Sequence, residues 1–189
     1  MIKVINEFIT IIVNLTMELK GTNFSLREWR TDDAELLQKY ADNPNIYAFL
    51  MDRFPHPYTM GDAVSWVNLM LRQKPVVTFV IAVEDKLAGV IGLEFRDDIY
   101  RKAPLLGYWL GEEFWGRGIA TEAVKLITNY AFSTLDIARI QAGVLSRNPR
   151  SMRVLEKAGY VKEGVLKNNI FKDGLVLDEW IYGIVKDDL

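Results

Sequence analysis

The chain has 189 residues, enough for one domain with a substantial hydrophobic core. Its 23 basic and 25 acidic residues nearly balance, which excludes a strong net field that would bind nucleic acid. The chain has no cysteine, which excludes disulfides, thiolate metal sites and a cysteine nucleophile. A single histidine, His56, excludes a multi-histidine zinc site.

Residues 1–16 form an apolar, mostly β-branched run. Asn6, Glu7 and Asn14 interrupt it, and it is too short to span a membrane. It also lacks the basic region and the small-residue cleavage site of a signal peptide. We predict an extension without chemistry, which is an element packed on the domain, a weak interfacial segment or the result of a start codon placed too early. Met17 opens a more usual beginning, so the domain is predicted to span residues 17–189.

The N-terminal part is predicted to hold one strand followed by short helices. Alternating apolar and polar residues predict the strand from Phe24 to Arg30, and Thr31 is predicted to cap the next helix. Three further signals are a break at Asn43-Pro44, a short helix over residues 46–51, and a capping box formed by Thr59 and Asp62 at the start of a longer helix.

The rest of the chain alternates strands with two helices. Strands are predicted over residues 76–83, 87–95, 104–111 and 138–145, and the chain closes with a hairpin around residues 172–174 and a strand over 176–185. One helix follows a glycine-rich turn and ends near Thr134, and another begins at Asn148-Pro149 and is ended by Gly159. This order predicts a mixed α/β fold in which a hairpin-built antiparallel half is joined to a βαβ half.

The glycine-rich turn W-G-R-G-I-A, residues 115–120, carries the functional signal. Gly116 and Gly118 let the backbone pass close to a ligand, and a helix begins immediately afterwards. The first amides of that helix have no partner in the chain and its dipole is positive there, so a diphosphate fits. Arg117 adds a charge that can reach a phosphate. A tight turn without a ligand is the alternative, and neither the Walker motif nor G-x-G-x-x-G is present.

Two ordered motifs give the chain a family resemblance. The turn resembles the [QR]-x-x-G-x-[GA] signature of the GNAT superfamily of N-acetyltransferases, with Gly118 and Ala120 in the two small positions. The stretches GYWLGEEFWGRGIATEA, residues 107–123, and NPRSMRVLEKAGYVKEG, residues 148–164, resemble its ribosomal-protein N-terminal (alanine/serine) acetyltransferases, the RimJ/RimL subgroup. The opening FSLREWRTDDAELL and the FPHPYT loop are also similar to that subgroup.

The resemblance implies the GNAT acyl-CoA N-acyltransferase fold, an α+β fold with a central, mostly antiparallel sheet of about seven strands and helices on both faces. It implies acetyl-CoA as cosubstrate and no metal. Pantetheine would pair with the backbone of Tyr108, Trp109 and Leu110, and Asn148 would contact the cofactor in addition to capping its helix. The diphosphate would bind the backbone of Gly116, Arg117, Gly118, Ile119, Ala120 and Thr121.

The resemblance assigns the catalytic residues less firmly. Ser151 matches a serine placed to hydrogen-bond the coenzyme sulfur, and a surface or cap-supporting serine is the alternative. Glu94 is a candidate for the base by position, with Tyr108 and Glu112 as rivals, and each of them also fits a plain strand or rim residue. His56 would serve if its loop covers the acceptor, although a histidine between two prolines is more often structural.

Three residues depart from the family pattern. Trp115 replaces the usual Gln or Arg of the signature. Leu155 stands where several relatives have a proton-donating tyrosine, and Leu105 occupies a position that is often acidic. The cofactor site is therefore expected to match the family better than the proton-transfer residues do.

The predicted function is acetyl transfer to a primary amine, expected to be a protein N-terminal amine, by direct attack in a ternary complex. The alternatives are acetylation of a small amine, such as a polyamine, aminoglycoside or amino acid, and a non-catalytic acyl-CoA-binding module. We expect a cytoplasmic protein whose partners are acetyl-CoA and the amine, with neither nucleic acid nor membrane, and leave a homodimer open.

Overall fold

One sheet of eight strands organises residues 17–188, the residues that the computed structural model describes. Its order is β1-β2-β3-β4-β5-β6-β8-β7, and the β5–β6 pair is parallel whereas the other neighbours are antiparallel. The strands are β1 (Glu18–Lys20), β2 (Ser25–Arg27), β3 (Thr78–Val83), β4 (Lys86–Glu94), β5 (Leu105–Leu110), β6 (Arg139–Leu145), β7 (Val161–Lys172) and β8 (Leu175–Val185). The prediction for residues 1–16 lies outside the described residues.

Helices cover both faces of the sheet. They are α1 (Asp33–Ala41), α2 (Pro44–Tyr47), α3 (Met60–Met70), α4 (Ile119–Thr134) and α5 (Pro149–Lys157), with 3₁₀ turns at Asp98–Tyr100, Glu112–Phe114 and Lys186–Asp188. Helices α1 and α3 pack on one face, called here the α1 face, and α4 and α5 pack on the other, the α4 face. Among residues 17–188, no helix is long and apolar enough to cross a bilayer.

The strand alternation decides which side chains reach which face. In β5, Leu106, Tyr108 and Leu110 contribute to the core of the α4 face, whereas Trp109 packs against the core of the α1 face. Since successive residues of a strand point to opposite faces, Gly107 lies on the α1 face. The same alternation in β6 assigns Ala142 and Val144 to the α4 face and Gly143, between them, to the α1 face.

The mixed α/β prediction is confirmed, and so are the capping box of Thr59 and Asp62 and the hairpin turn between β3 and β4. The sheet has one strand more than the predicted seven, because the short polar segment of β1 pairs with β2. The prediction of a first strand from Phe24 to Arg30 was too long. The side chain of Trp29 instead turns into the core and donates from Nε1 to the Thr78 carbonyl at 3.1 Å.

Two helix starts differ from the predictions. The prediction that Asn43-Pro44 breaks a helix was incomplete, because Asn43 accepts from the Asn45 amide and so caps α2, where Pro44 fits the first turn. The prediction that the Thr31 side chain caps α1 was wrong. Asp33 serves the start of α1 instead, since its carboxylate accepts from the Arg30 amide at 2.8 Å.

Asp33 also forms a buried ion pair with Arg27. The guanidinium donates to both carboxylate oxygens, at 2.7 and 2.9 Å, and the side chains are 6% and 4% exposed. A paired charge at this depth needs its partner, because an isolated buried ion loses hydration without compensation. The pair therefore fixes α1 against β2.

We expect Asp33→Ala to lower the free energy of unfolding by about 3–5 kcal/mol, because it leaves the Arg27 charge buried and unpaired. Urea unfolding measures the loss. Asp85→Ala is the matched control, since Asp85 also pairs with Arg27 but is exposed, and it should cost much less. Equal losses in the two variants would contradict the role given to burial.

Candidate active site

The parallel strands β5 and β6 separate almost as soon as they meet. Leu105 and Gln141 form the one register pair between them in the described residues. Beyond that pair, β5 keeps its hydrogen bonds to β4 up to Leu110, but its other edge faces a gap. Backbone groups on such an edge can pair with an extended ligand as with an added strand. We call this opening the β5–β6 gap.

The start of α4 lies at the carboxyl end of β5, beside this gap. Gly118 precedes the helix with φ 81° and provides no side-chain cap. Within residues 17–188, the hydrogen bonds include no acceptor for the amides from Gly116 to Thr121, and the first amide of the segment to be satisfied is that of Glu122, by the Gly118 carbonyl. Six successive free amides at a helix start offer the kind of hydrogen-bond donors that anionic groups such as a diphosphate accept from.

Two side chains of the turn serve its structure. Trp115 donates from Nε1 to the Leu110 carbonyl at 2.7 Å, so it ties the turn to the end of β5. Arg117 donates to the Glu113 carbonyl at 2.7 Å and lies over the Phe114 ring. The structure therefore directs the Arg117 guanidinium to the preceding 3₁₀ turn, and the free groups facing the ligand side are backbone amides.

Tyr108 and Ser151 join β5 to the start of α5. The Tyr108 hydroxyl lies 2.8 Å from Ser151 Oγ, and Asn148 Oδ1 accepts from the Ser151 amide at 3.1 Å. Burial raises the pKa of Tyr108 to about 12, although the bond to Ser151 acts in the opposite direction. Tyr108 is therefore protonated at neutral pH, which suits a proton donor to Ser151 better than the base predicted as one option.

Leu155 stands at the position for which the family resemblance implies a proton-donating tyrosine in several relatives. Its side chain is fully buried in the core of the α4 face and has no proton to give. Tyr160 is buried nearby, where its hydroxyl lies 2.9 Å from Thr128 Oγ1, and burial raises its pKa. In place of a tyrosine at position 155, this part of the site contains the Ser151 hydroxyl, hydrogen-bonded to Tyr108.

Glu94 and Glu112 both accept hydrogen bonds from side chains of the segment before α3. Glu94, on the α1 face, binds the Arg53 guanidinium through both oxygens, and this hydrogen bond raises the pKa of Arg53. Glu112 accepts from the side-chain amides of Asn43 and Asn45, which hold the pKa of Glu112 below its ordinary value. Of these two base candidates, Glu94 lies on the strand next to β5, and Glu112 lies on the 3₁₀ turn beyond it.

His56 is held by its own loop. Its ring stacks on Tyr47 with centroids 4.6 Å apart, and Nδ1 lies 3.9 Å from Asp42 Oδ1. This arrangement fits the structural role that the flanking prolines favoured. Tyr47 also lies under Lys172 Nζ, 3.5 Å from the ring centroid, so the loop contacts the tip of the β7–β8 hairpin.

An open patch lies on the α1 face across the β5–β6 gap. Gly107 of β5 and Gly143 of β6 are both exposed, and a Cβ on Gly107 would meet no atom within 4 Å. We call this surface the glycine floor. A groove of about 380 Å³ lies along α3 near Arg53, lined by Pro55, Tyr58, Asp62, Ser65, Trp66 and Leu69.

Known proteins match this architecture. The family profile described as acetyltransferase (GNAT) domain matches residues 23–161.

The chain belongs to the GNAT family.

Relatives and structures agree with this assignment. The probable N-acetyltransferase YjcK of Bacillus subtilis is 43% identical over 177 residues, 90% of this chain and 98% of YjcK. The ribosomal-protein-serine acetyltransferase of Escherichia coli is 31% identical over 121 residues, 64% of this chain and 67% of that protein. The structure of the microcin C7 self-immunity acetyltransferase MccE in complex with acetyl-CoA and AMP has a TM-score of 0.74 and 26% identity, covering 87% of this chain and 93% of that one.

This GNAT protein is an N-acetyltransferase, and the family uses acetyl-CoA. The β5–β6 gap and the free amides before and within the first turn of α4 fit an extended molecule that carries a diphosphate. In the described part of the chain, no group of three or more histidine, aspartate or glutamate side chains is arranged to hold a metal ion.

Sequence reasoning missed the partners that orient the carboxylates. Arg53 lies 41 residues before Glu94, and Asn45 lies 67 residues before Glu112. Asn43 carries only the signal of a helix break in the sequence, since no local pattern links it to Glu112, 69 residues later. The separation of β5 from β6 could not be predicted from the strands one at a time, because it depends on how the two strands pair with each other.

We expect Gly118→Val to abolish coenzyme A binding, because valine disfavours the left-handed conformation and would reshape the turn that presents the amides. Isothermal titration with coenzyme A measures the affinity. Gly174→Val is the matched control, since Gly174 has φ 78° and similarly open surroundings but lies in the hairpin turn. Both variants should lose similar stability, and equal coenzyme A affinity in the two would count against the amide site.

We expect Ser151→Ala to lower kcat about 100-fold with little change in KM for acetyl-CoA, because the thiolate loses its proton donor. Steady-state thiol release measures both constants. Ser133→Ala removes a hydroxyl that only bonds the Tyr130 carbonyl in α4 and should leave kcat unchanged. Because the pKa of Tyr108 is about 12, its ionisation should not reduce the wild-type rate between about pH 6 and pH 10. An unchanged kcat in Ser151→Ala would remove Ser151 from catalysis.

Proposed function

We propose that this enzyme acetylates the N-terminal amine of a protein, with acetyl-CoA as donor. The observation that carries the proposal is the open glycine floor on the α1 face, where Gly107 leaves space over the strand that borders the gap. A peptide needs such an open surface, whereas a small amine is better bound in a closed pocket. The similarity to a ribosomal-protein-serine acetyltransferase supports the same acceptor class.

The coenzyme is proposed to bind from the α4 side of the gap. Its diphosphate would accept hydrogen bonds from the amides of residues 116–121. The pantetheine amides would pair with the β5 edge at Tyr108, Trp109 and Leu110, where the Leu110 carbonyl also accepts from Trp115 Nε1. Asn148 already caps α5 through the Ser151 amide, so its side-chain nitrogen is the group left to reach the cofactor. The thioester would then lie near Ser151.

The proposed reaction is a direct transfer in a ternary complex. The amine attacks the thioester carbonyl carbon while strand amides polarise the carbonyl oxygen, and the thiolate leaves with the C–S electron pair. The Ser151 hydroxyl, hydrogen-bonded to Tyr108, protonates the sulfur. Glu94 is proposed to take the proton of the amine, directly or through water, from the α1 face.

The groove beside Arg53 favours an acceptor longer than one residue. It extends along α3 and exposes Trp66 and Leu69, which offer apolar surface to the residues that follow an N-terminal amine. Arg53 links this groove to Glu94, so a peptide lying in it would direct its first residue toward the glycine floor.

We expect the enzyme to release thiol from acetyl-CoA with a short peptide that has a free N-terminal serine or alanine. The same peptide with a blocked N-terminus should give no reaction. Spermidine, an aminoglycoside and free serine complete the panel, and mass spectrometry locates the acetyl group. Faster acetylation of one of the small amines than of every peptide would overturn the proposed acceptor, while thiol release itself would still agree with an N-acetyltransferase.

A further inference from the structure

Glu179 of β8 places a carboxylate over the glycine floor. It lies opposite Leu145 of β6, and Gly143 lies two residues before Leu145 on the same strand and the same face. The Glu179 side chain leans diagonally over Gly143, since a Cβ on Gly143 would be 2.0 Å from Glu179 Oε1. The carboxylate thus occupies the space that a side chain at position 143 would take.

The position of Gly143 sets the carboxylate beside the β5–β6 gap. Leu105 and Gln141 are the last pair before the strands separate, and both Gly107 and Gly143 lie two residues beyond it. Glu179 therefore reaches from β8 across β6 toward the gap, on the face opposite Tyr108 and Ser151. Attack on a thioester lying in the gap would come from this face.

One oxygen of Glu179 is fixed and the other is free. Asn169 donates from Nδ2 to Oε2 at 2.6 Å, whereas the hydrogen bonds among residues 17–188 include none to Oε1. Asn169 belongs to the irregular part of β7 between Leu166 and Ile170, where the pairing with β8 shifts. The β7 irregularity thus supplies an amide that orients the carboxylate and leaves Oε1 directed at the floor.

The charges around Glu179 leave it without a cation. Four basic side chains of this region each pair with another carboxylate: Arg139 with Glu163, Arg147 with Asp173, Lys167 with Asp178, and Lys172 with Asp52. A fifth, Lys162, lies over the Trp180 ring, which packs on the α4 face, and its Nζ is 3.3 Å from the ring centroid. On the opposite side of the floor, Arg53 binds Glu94. Among the described residues, Glu179 forms no salt bridge. The carboxylate is half-buried, and a half-buried carboxylate without a cationic partner favours the binding of a cation.

We propose that Glu179 Oε1 binds the ammonium group of the acceptor amine and so holds the acceptor at the glycine floor. This inference rests on the proposed function, because it names the group that recognises the acceptor of that reaction. The α-amino group of a peptide has a pKa of about 7.7–8.0, so most of it is cationic at neutral pH. One charge-assisted hydrogen bond to a carboxylate held by Asn169 fixes the nitrogen beside the gap.

The test compares Glu179→Gln with Glu163→Gln. Glutamine keeps the size of the side chain, and Glu163 is a matched control because it also leans over a glycine, Gly183, but pairs with Arg139. The acceptor probes are a peptide with free N-terminal serine, the same peptide N-acetylated, and spermidine. Their binding to the coenzyme A complex is measured by isothermal titration, and their turnover, where it occurs, by thiol release.

We expect Glu179→Gln to weaken binding of the free-amine peptide about tenfold and to bind the acetylated peptide as the wild type does. Coenzyme A affinity should be unchanged, which shows that the variant is folded. Glu163→Gln should match the wild type for every probe.

The outcomes separate the two proposals. Equal affinities for the free-amine probes in Glu179→Gln, Glu163→Gln and wild type would overturn the role of Glu179, even if peptide turnover supports the proposed function. Turnover of spermidine alone, weakened by Glu179→Gln, would support Glu179 and overturn the peptide acceptor. A wild-type complex that binds the free and acetylated peptides equally, and does not bind spermidine, would overturn the ammonium site.

Discussion

The free amides at the start of α4 are the constraint on which the site depends. A helix cannot satisfy its own first N–H groups, and most helices use a side-chain cap to do so. Here the residue before the helix is Gly118 in a left-handed conformation, with no side chain to offer. The chain thus leaves a run of donors at the end of β5, and the position of this run fixes where an anionic ligand can bind.

The carboxylates around the site differ mainly in their partners. Glu94 is bound by Arg53 and Glu163 by Arg139, whereas Glu179 is oriented by the neutral amide of Asn169. A carboxylate bonded to a neutral amide has no cationic partner, whereas one bonded to a guanidinium already has one. Position on the sheet alone therefore does not determine which acid binds an amine.

Local pattern sufficed for much of the fold and for the cofactor turn. Gly116 and Gly118, followed by an amphipathic helix, predict free amides at a helix start without knowledge of the rest of the chain. The prediction of a Thr31 cap failed because Asp33, buried against Arg27, accepts the Arg30 amide at the helix start. Glu179 was not a candidate because its position relative to Gly143 and Asn169 depends on strand pairing, which no local pattern shows.

The early separation of β5 and β6 also has a thermodynamic consequence. Within residues 17–188, one register pair and three backbone hydrogen bonds to Lys102 and Pro104 link β6 to the part of the sheet that contains β1 to β5. Side-chain packing of α4 and α5 adds to this short connection. An extended molecule paired along β5 would act as an additional strand and restore part of the missing ladder. A ligand that binds only the native state stabilises that state by mass action. Saturating the protein with such a ligand should therefore couple the two parts of the sheet more tightly and slow hydrogen exchange of the amides along the edge of β5.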